Sequence, residues 1–168
     1  MRPSTLESLR QQREEWLCHL REDDGLLGDV APEIIAKLER KISALVSVLD
    51  AAQGNLIGLT LKHPTDERWG MILPDASSPG RFRWQGFRAD GFTGHCTFDS
   101  PELCLGDMID SNLEVPDPGA LDRLAATSKW QCGSEILGLV QACNAGLISW
   151  DDANAQAEVI KQKYQEVA

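Results

Sequence analysis

The sequence predicts an α+β fold with an N-terminal helical hairpin (residues 1–54), a four-stranded antiparallel sheet (55–98) and an acidic helical region (99–168). The last two are expected to form one compact domain. Two observations carry this. Apolar residues recur at three-and-four spacing before Gly54 and again after Asp99, and at a spacing of two between Asn55 and Phe98. Turn and cap residues fall where the period changes, at Gly54 and at Asp99-Ser100-Pro101.

In the first helix, Leu6, Leu9, Trp16 and Leu20 form the apolar stripe, with Arg13 in the seam position between them. Ser4 and Glu7 read as its capping box and Gly25 as its C-cap. After a loop GLLGDV, Pro32 suits the first turn of a second helix carrying Ile35, Leu38, Ile42, Leu45 and Leu49, which Gly54 ends. The seam of this hairpin packs on the rest of the chain or forms a homodimer; Arg13 on it favours a wet or partner-facing contact. In the sheet, LIGLTL (56–61) and ERWGMIL (67–73) flank the turn at His63, Pro64, Thr65 and Asp66. Phe82 and Trp84 then alternate with Arg81 and Arg83, which places aromatics toward the core and guanidinium groups toward solvent. Gly86 reads as a bulge, and Ala89-Asp90-Gly91 reverses the chain into FTGHCTF, with Phe92, Cys96 and Phe98 on one face and Thr93, His95 and Thr97 on the other.

Ser100 and Pro101 start a helix that divides Cys104, Leu105, Met108 and Ile109 from Asp99, Glu102, Asp107 and Asp110. Asp117 caps the next helix, with Leu121, Leu124 and Ala125, and a further helix runs from about Ser134 to Ala145. The C-terminal helix starts at Ser149 with Asp152 in the capping-box position, and Trp150, Ala153, Ala157, Ile160 and Tyr164 line one face of it.

The chain has 168 residues with 26 Asp and Glu against 16 Lys and Arg, a formal charge of -10. Its 42% hydrophobic content is ordinary for a globular protein, so a core can form without metal or disulfide support. The charge is uneven. Residues 1–53 carry -3, residues 54–98 carry +1 and residues 99–168 carry -8. Between Asp99 and Asp122 there are seven acids, Asp99, Glu102, Asp107, Asp110, Glu114, Asp117 and Asp122, and no Lys or Arg. Such a stretch is either a solvated helix face that keeps the protein soluble, or an interaction face that attracts a basic protein and mimics a row of phosphates. The overall acidity opposes general binding to nucleic acid or to anionic lipid. Against that, Arg81, Arg83, Arg88 and His95 on the strand hairpin offer an alternative nucleic-acid face, weighed against arginines that simply pair with the neighbouring acids.

Five cysteines with no regular spacing read as reduced thiols in a cytoplasmic protein. The first twenty residues lack a signal-peptide apolar core, and no apolar run is long enough to span a bilayer. A metal or thiol chemistry built on His95, Cys96 or Cys104 has little to rest on. No C-x-x-C pair is present, adjacent strand residues point to opposite faces, and Cys96 and Cys104 read as buried. No metal, cofactor or catalytic residue is assigned.

The run GRFRWQGFRADGFTGHCTFDSPELCLGDMI, followed by PGALDRLAATSKWQCG, resembles small domains of plasmid, phage and integrative-element proteins, among them the large polyvalent protein-associated domains. The resemblance spans about residues 68–133 and rests on the hairpin ending Gly-His-x-x-Phe-Asp and on Gly-Ala-Leu-Asp-Arg-Leu-Ala. The tail LGLVQACNAGLISWDDANAQAEVI also resembles the helical hairpin of short C-terminal oligomerisation modules, from whose pattern Trp150 and Ala153 depart. Neither resemblance supplies catalytic residues. The first implies a mobile-element accessory protein that blocks a host restriction or CRISPR complex by binding it. The expected function is therefore non-enzymatic binding of a protein partner, a basic or nucleic-acid-binding complex, through the acidic face.

Overall fold

The computed structural model describes residues 3–22 and 25–165 and has the α+β architecture expected. Two helices, α1 (Leu6–Arg21) and α2 (Leu26–Ala52), precede strands β1 (Thr60–Lys62), β2 (Trp69–Pro74), β3 (Phe82–Arg88) and β4 (Gly91–Phe98). Helix α3 (Pro101–Asp110) follows, then β5 (Val115–Pro116) and helices α4 (Ala120–Ala125), α5 (Ser128–Asn144) and α6 (Trp150–Gln165). The sheet has five strands in the order β4-β3-β2-β1-β5, not four. The added strand is the short Val115–Pro116 segment, which runs antiparallel to β1 at the sheet edge, where a proline's missing N–H is harmless.

Both sheet faces are covered, because the register sends alternate residues to opposite sides. Leu61, Ile72 and Trp84 look toward α2 and α3, in a cluster that also holds Leu9, Leu38, Val48, Leu105, Met108 and Ile109. Trp69 and Phe87 look the other way, toward Ala120 of α4 and Trp130 of α5. The three sequence regions thus share one core. Helix α3 behaves as its pattern predicts: Ser100 accepts a hydrogen bond from the Leu103 amide, Pro101 opens the first turn, and Cys104, Leu105, Met108 and Ile109 are buried. Among the described residues no helix is long and apolar enough to cross a membrane.

The structure corrects several local expectations. The cap of α1 is Thr5 with Ser8, not Ser4 with Glu7, because Ser4 is used elsewhere: its amide and its hydroxyl both donate to Asp110 at 2.9 Å. Helix α1 ends at Glu22, and Gly25 begins α2 instead of closing α1. The GLLGDV segment is helical, so Pro32 lies inside α2, where it forgoes one bond to the carbonyl four residues back. Of LIGLTL only Thr60 and Leu61 lie in a strand. The expected dimer seam of the N-terminal hairpin is occupied by the chain itself, since Leu9, Ile35, Leu38 and Leu45 are buried.

The bulge is real, but it has a further consequence. Gln85 pairs with His95 and Phe87 with Phe92, so Thr93 and Gly94 together oppose Gly86. The extra residue reverses the alternation and moves Phe92 to the face opposite Cys96, against the simple reading of FTGHCTF. There its ring meets Phe87 (centroids 6.4 Å apart) and Trp130 (5.1 Å) edge-on, while Trp69 stacks on Phe87 at 5.9 Å.

Candidate interaction site

The seven acidic residues of the 99–122 window do not form one free face. Asp99 pairs with Arg81 at 3.0 Å. Asp107 accepts the indole N–H of Trp84, and Asp117 that of Trp69, each at 2.8 Å, so one aspartate fixes a tryptophan on each side of the sheet. Asp117 also pairs with Arg123; burial opposes its ionisation, but the Trp69 and Arg123 bonds hold its carboxyl below the ordinary carboxylate value.

Asp110 is the most engaged of the seven. Lys41 of α2 donates to it at 2.6 Å alongside the two bonds from Ser4, and against the cost of burial these bonds depress its pKa. The segment around Ser4 lies directly across α3 at Gly106, where a Cβ would stand 2.0 Å from the Ser4 carbonyl oxygen. The half of the acidic arc nearest Asp110 is therefore covered by the chain's own start. Glu102, Glu114 and Asp122 remain without an ion pair among the described residues.

The basic candidates are also dispersed. Arg81 is tied to Asp99 and lies within 3.4 Å of the Thr97 carbonyl oxygen. Arg83 lies half-buried on the sheet face that also carries exposed His95, and its Nε has no hydrogen-bond partner. Arg88 is exposed at the other end of β3, in a small cleft with Asp66, Glu67, Arg68 and Lys129. Cys96 is exposed, contrary to expectation, whereas Cys104 is fully buried, and burial together with the nearby Asp107 carboxylate pushes its thiol up to about 12. Among the described residues no group of three or more His, Cys, Asp and Glu is placed to hold a metal ion.

A site that the sequence reading missed lies at the base of the C-terminal hairpin. Helix α5 starts at Thr127, whose hydroxyl accepts from the Trp130 amide, and Trp130 anchors the helix in the aromatic cluster. Gly133 permits the close approach that follows, since a Cβ there would meet the Asp90 carbonyl oxygen at 1.7 Å. Beyond this anchor α5 and α6 leave the sheet and pair with each other. Lys163 and Tyr164 of α6 both donate to Glu135, at 2.8 and 2.6 Å, and Cys143 and Ala153 are buried near the turn.

Between the two helices and the β3–β4 turn lies an open groove of about 680 Å³. Phe92, Ile136, Leu137 and Val140 give it an apolar floor, while Lys129 and Lys161 stand on its rim at the end nearest the sheet. From Lys129 to Val140 it follows roughly 16 Å of α5, about three helical turns. An apolar trough of that length between two helices, with cations at one end, is shaped to take an amphipathic helix. Two signals in the sequence pointed here: α5 carries Ile136, Leu137, Leu139 and Val140 too close together to bury on one face, and Gly94 marks the bulge that turns Phe92 toward the groove. Comparison with known protein families, with curated proteins and with solved structures returns no match.

Proposed function

We propose that this chain is a non-enzymatic interaction protein that binds a helical element of a protein partner in the groove at the base of the α5–α6 hairpin. The observation that carries this is the combination at one place of an apolar floor, half-exposed in the folded chain, with two lysines on its rim. The acidic window is the weaker candidate, because Asp99, Asp107, Asp110 and Asp117 already serve partners within the fold. The resemblance of residues 68–133 to mobile-element domains supports placing the partner in a host defence complex of the restriction or CRISPR kind, in the cytoplasm, with inhibition by occupancy. Capture from host lysate tests the reading when the wild type is compared with two variants. Leu137→Glu with Val140→Glu is expected to abolish capture, and Glu102→Lys with Glu114→Lys and Asp122→Lys to leave it unchanged. The reverse pattern returns recognition to the acidic window.

A further inference from the structure

We propose that the groove is filled by the hairpin tip of a second copy of this chain, so that two α5–α6 hairpins pair antiparallel as a four-helix assembly. This rests on the groove reading above and gives the occupant. The tip carries what the groove takes. Leu147 and Trp150 are 77% and 55% exposed, and Asp151 and Asp152 follow directly at the start of α6. A large apolar anchor beside two carboxylates is the complement of an apolar floor beside Lys129 and Lys161.

The direction of the helices makes the match reciprocal. Because Lys163 and Tyr164 of α6 reach Glu135 of α5, the end of α6 lies beside the start of α5. The rim lysines are thus at the base of the hairpin and the Trp-Asp-Asp run is at its tip. Two hairpins related by a two-fold axis and laid antiparallel bring tip to base twice, with the same pairings each time. Trp150 is also on the correct side: it shares a helical stripe with half-buried Ala157 and with Lys161 of the groove rim, at spacings of seven and four. Charge favours this surface over others. Residues 126–165 hold three lysines and four acidic residues, so two chains of net charge -10 meet here through a nearly neutral element.

Light scattering after gel filtration, with sedimentation equilibrium on the full chain, tests the inference. A dimer at about 10–100 μM is expected for the wild type. Lys129→Glu with Lys161→Glu is expected to weaken it by at least about tenfold, and addition of Asp151→Lys to recover most of that loss. Asp152 is left in place because its carboxylate accepts from the Ser149 hydroxyl and its amide donates back to it. Trp150→Ala should also dissociate the dimer, with circular dichroism unchanged. A dimer indifferent to Trp150→Ala and to the charge variants overturns the inference. So does a wild type monomeric at every concentration. In that last case the lysate experiment separates the two ideas: capture lost with Leu137→Glu and Val140→Glu leaves the groove reading standing, and capture unchanged removes both.

Discussion

The chain contains two antiparallel helical pairs built by similar local rules and used in opposite ways. In the first, α1 and α2 put Leu9, Ala31, Leu38, Leu45 and Val48 into the main core, and Ser4 and Lys41 tie the pair to Asp110 of α3. In the second, α5 and α6 bury Trp130, Cys143 and Ala153 and leave Leu147, Trp150 and Val159 largely exposed. The difference teaches that an amphipathic hairpin is docked by anchors outside its own stripe. The N-terminal pair has a long-range polar clamp beside its seam; the C-terminal pair has an aromatic anchor at one end and nothing along its length.

The contrast can be broken most severely from the core side. Leu105→Ala in α3 is expected to cost about 3 kcal/mol in chemical unfolding, whereas Leu139→Ala on half-buried α5 should cost less than about 1. Gly106→Ala should cost about 1–3 kcal/mol, despite alanine's better helix propensity, because its Cβ displaces the Ser4 backbone; faster exchange of the first α1 amides would report that release. Asp110→Ala, which leaves Lys41 without its partner, is expected to cost about 1–2 kcal/mol.

The same clamp has a defined pH dependence. The folded-state pKa of Asp110 is depressed, so its stabilising contribution is complete above the ordinary carboxylate pKa of about 4 and is lost as pH falls through the lower folded value. Asp75 acts in the same direction: bonds from the Ser77 and Thr97 hydroxyls and the Ser77 and Ser78 amides hold its carboxyl far below the usual range. Acid unfolding of Asp110→Asn should therefore show a shallower loss of stability below pH 4 than the wild type. The smallest effect belongs to the free hairpin. Trp150→Ala should change the unfolding free energy by no more than about 0.5 kcal/mol, in keeping with a side chain that supports association and not the fold.

Much of the architecture was legible because local signals agreed with the tertiary answer. Helix α3 is the clearest case, its cap, its first-turn proline and its buried arc all falling as read. What escaped depended on distance in sequence or on a single inserted residue. The start of α1 shifted to Thr5 because Ser4 is claimed by a residue 106 positions away. Phe92 changed face because one extra residue in β4 reverses a strict alternation. Strand β5 has two residues, one of them proline, and carries no period at all. The acidic window was read correctly as a run of charge, but charge counting cannot tell a carboxylate that faces water from one that receives an indole N–H. The groove was hidden because it arises where three separated segments meet.

The contact between Ser4 and Asp110 also sets an order of events during synthesis. At about 5–20 residues per second, Asp110 is added roughly 5–20 s after Ser4. Through that interval α1 and α2 have no α3 to lie against, and the nascent chain must carry their apolar seam uncovered until the ribosome has made most of the sheet. Closure of the N-terminal end is thus a late step in the life of the chain, although it involves some of the first residues made.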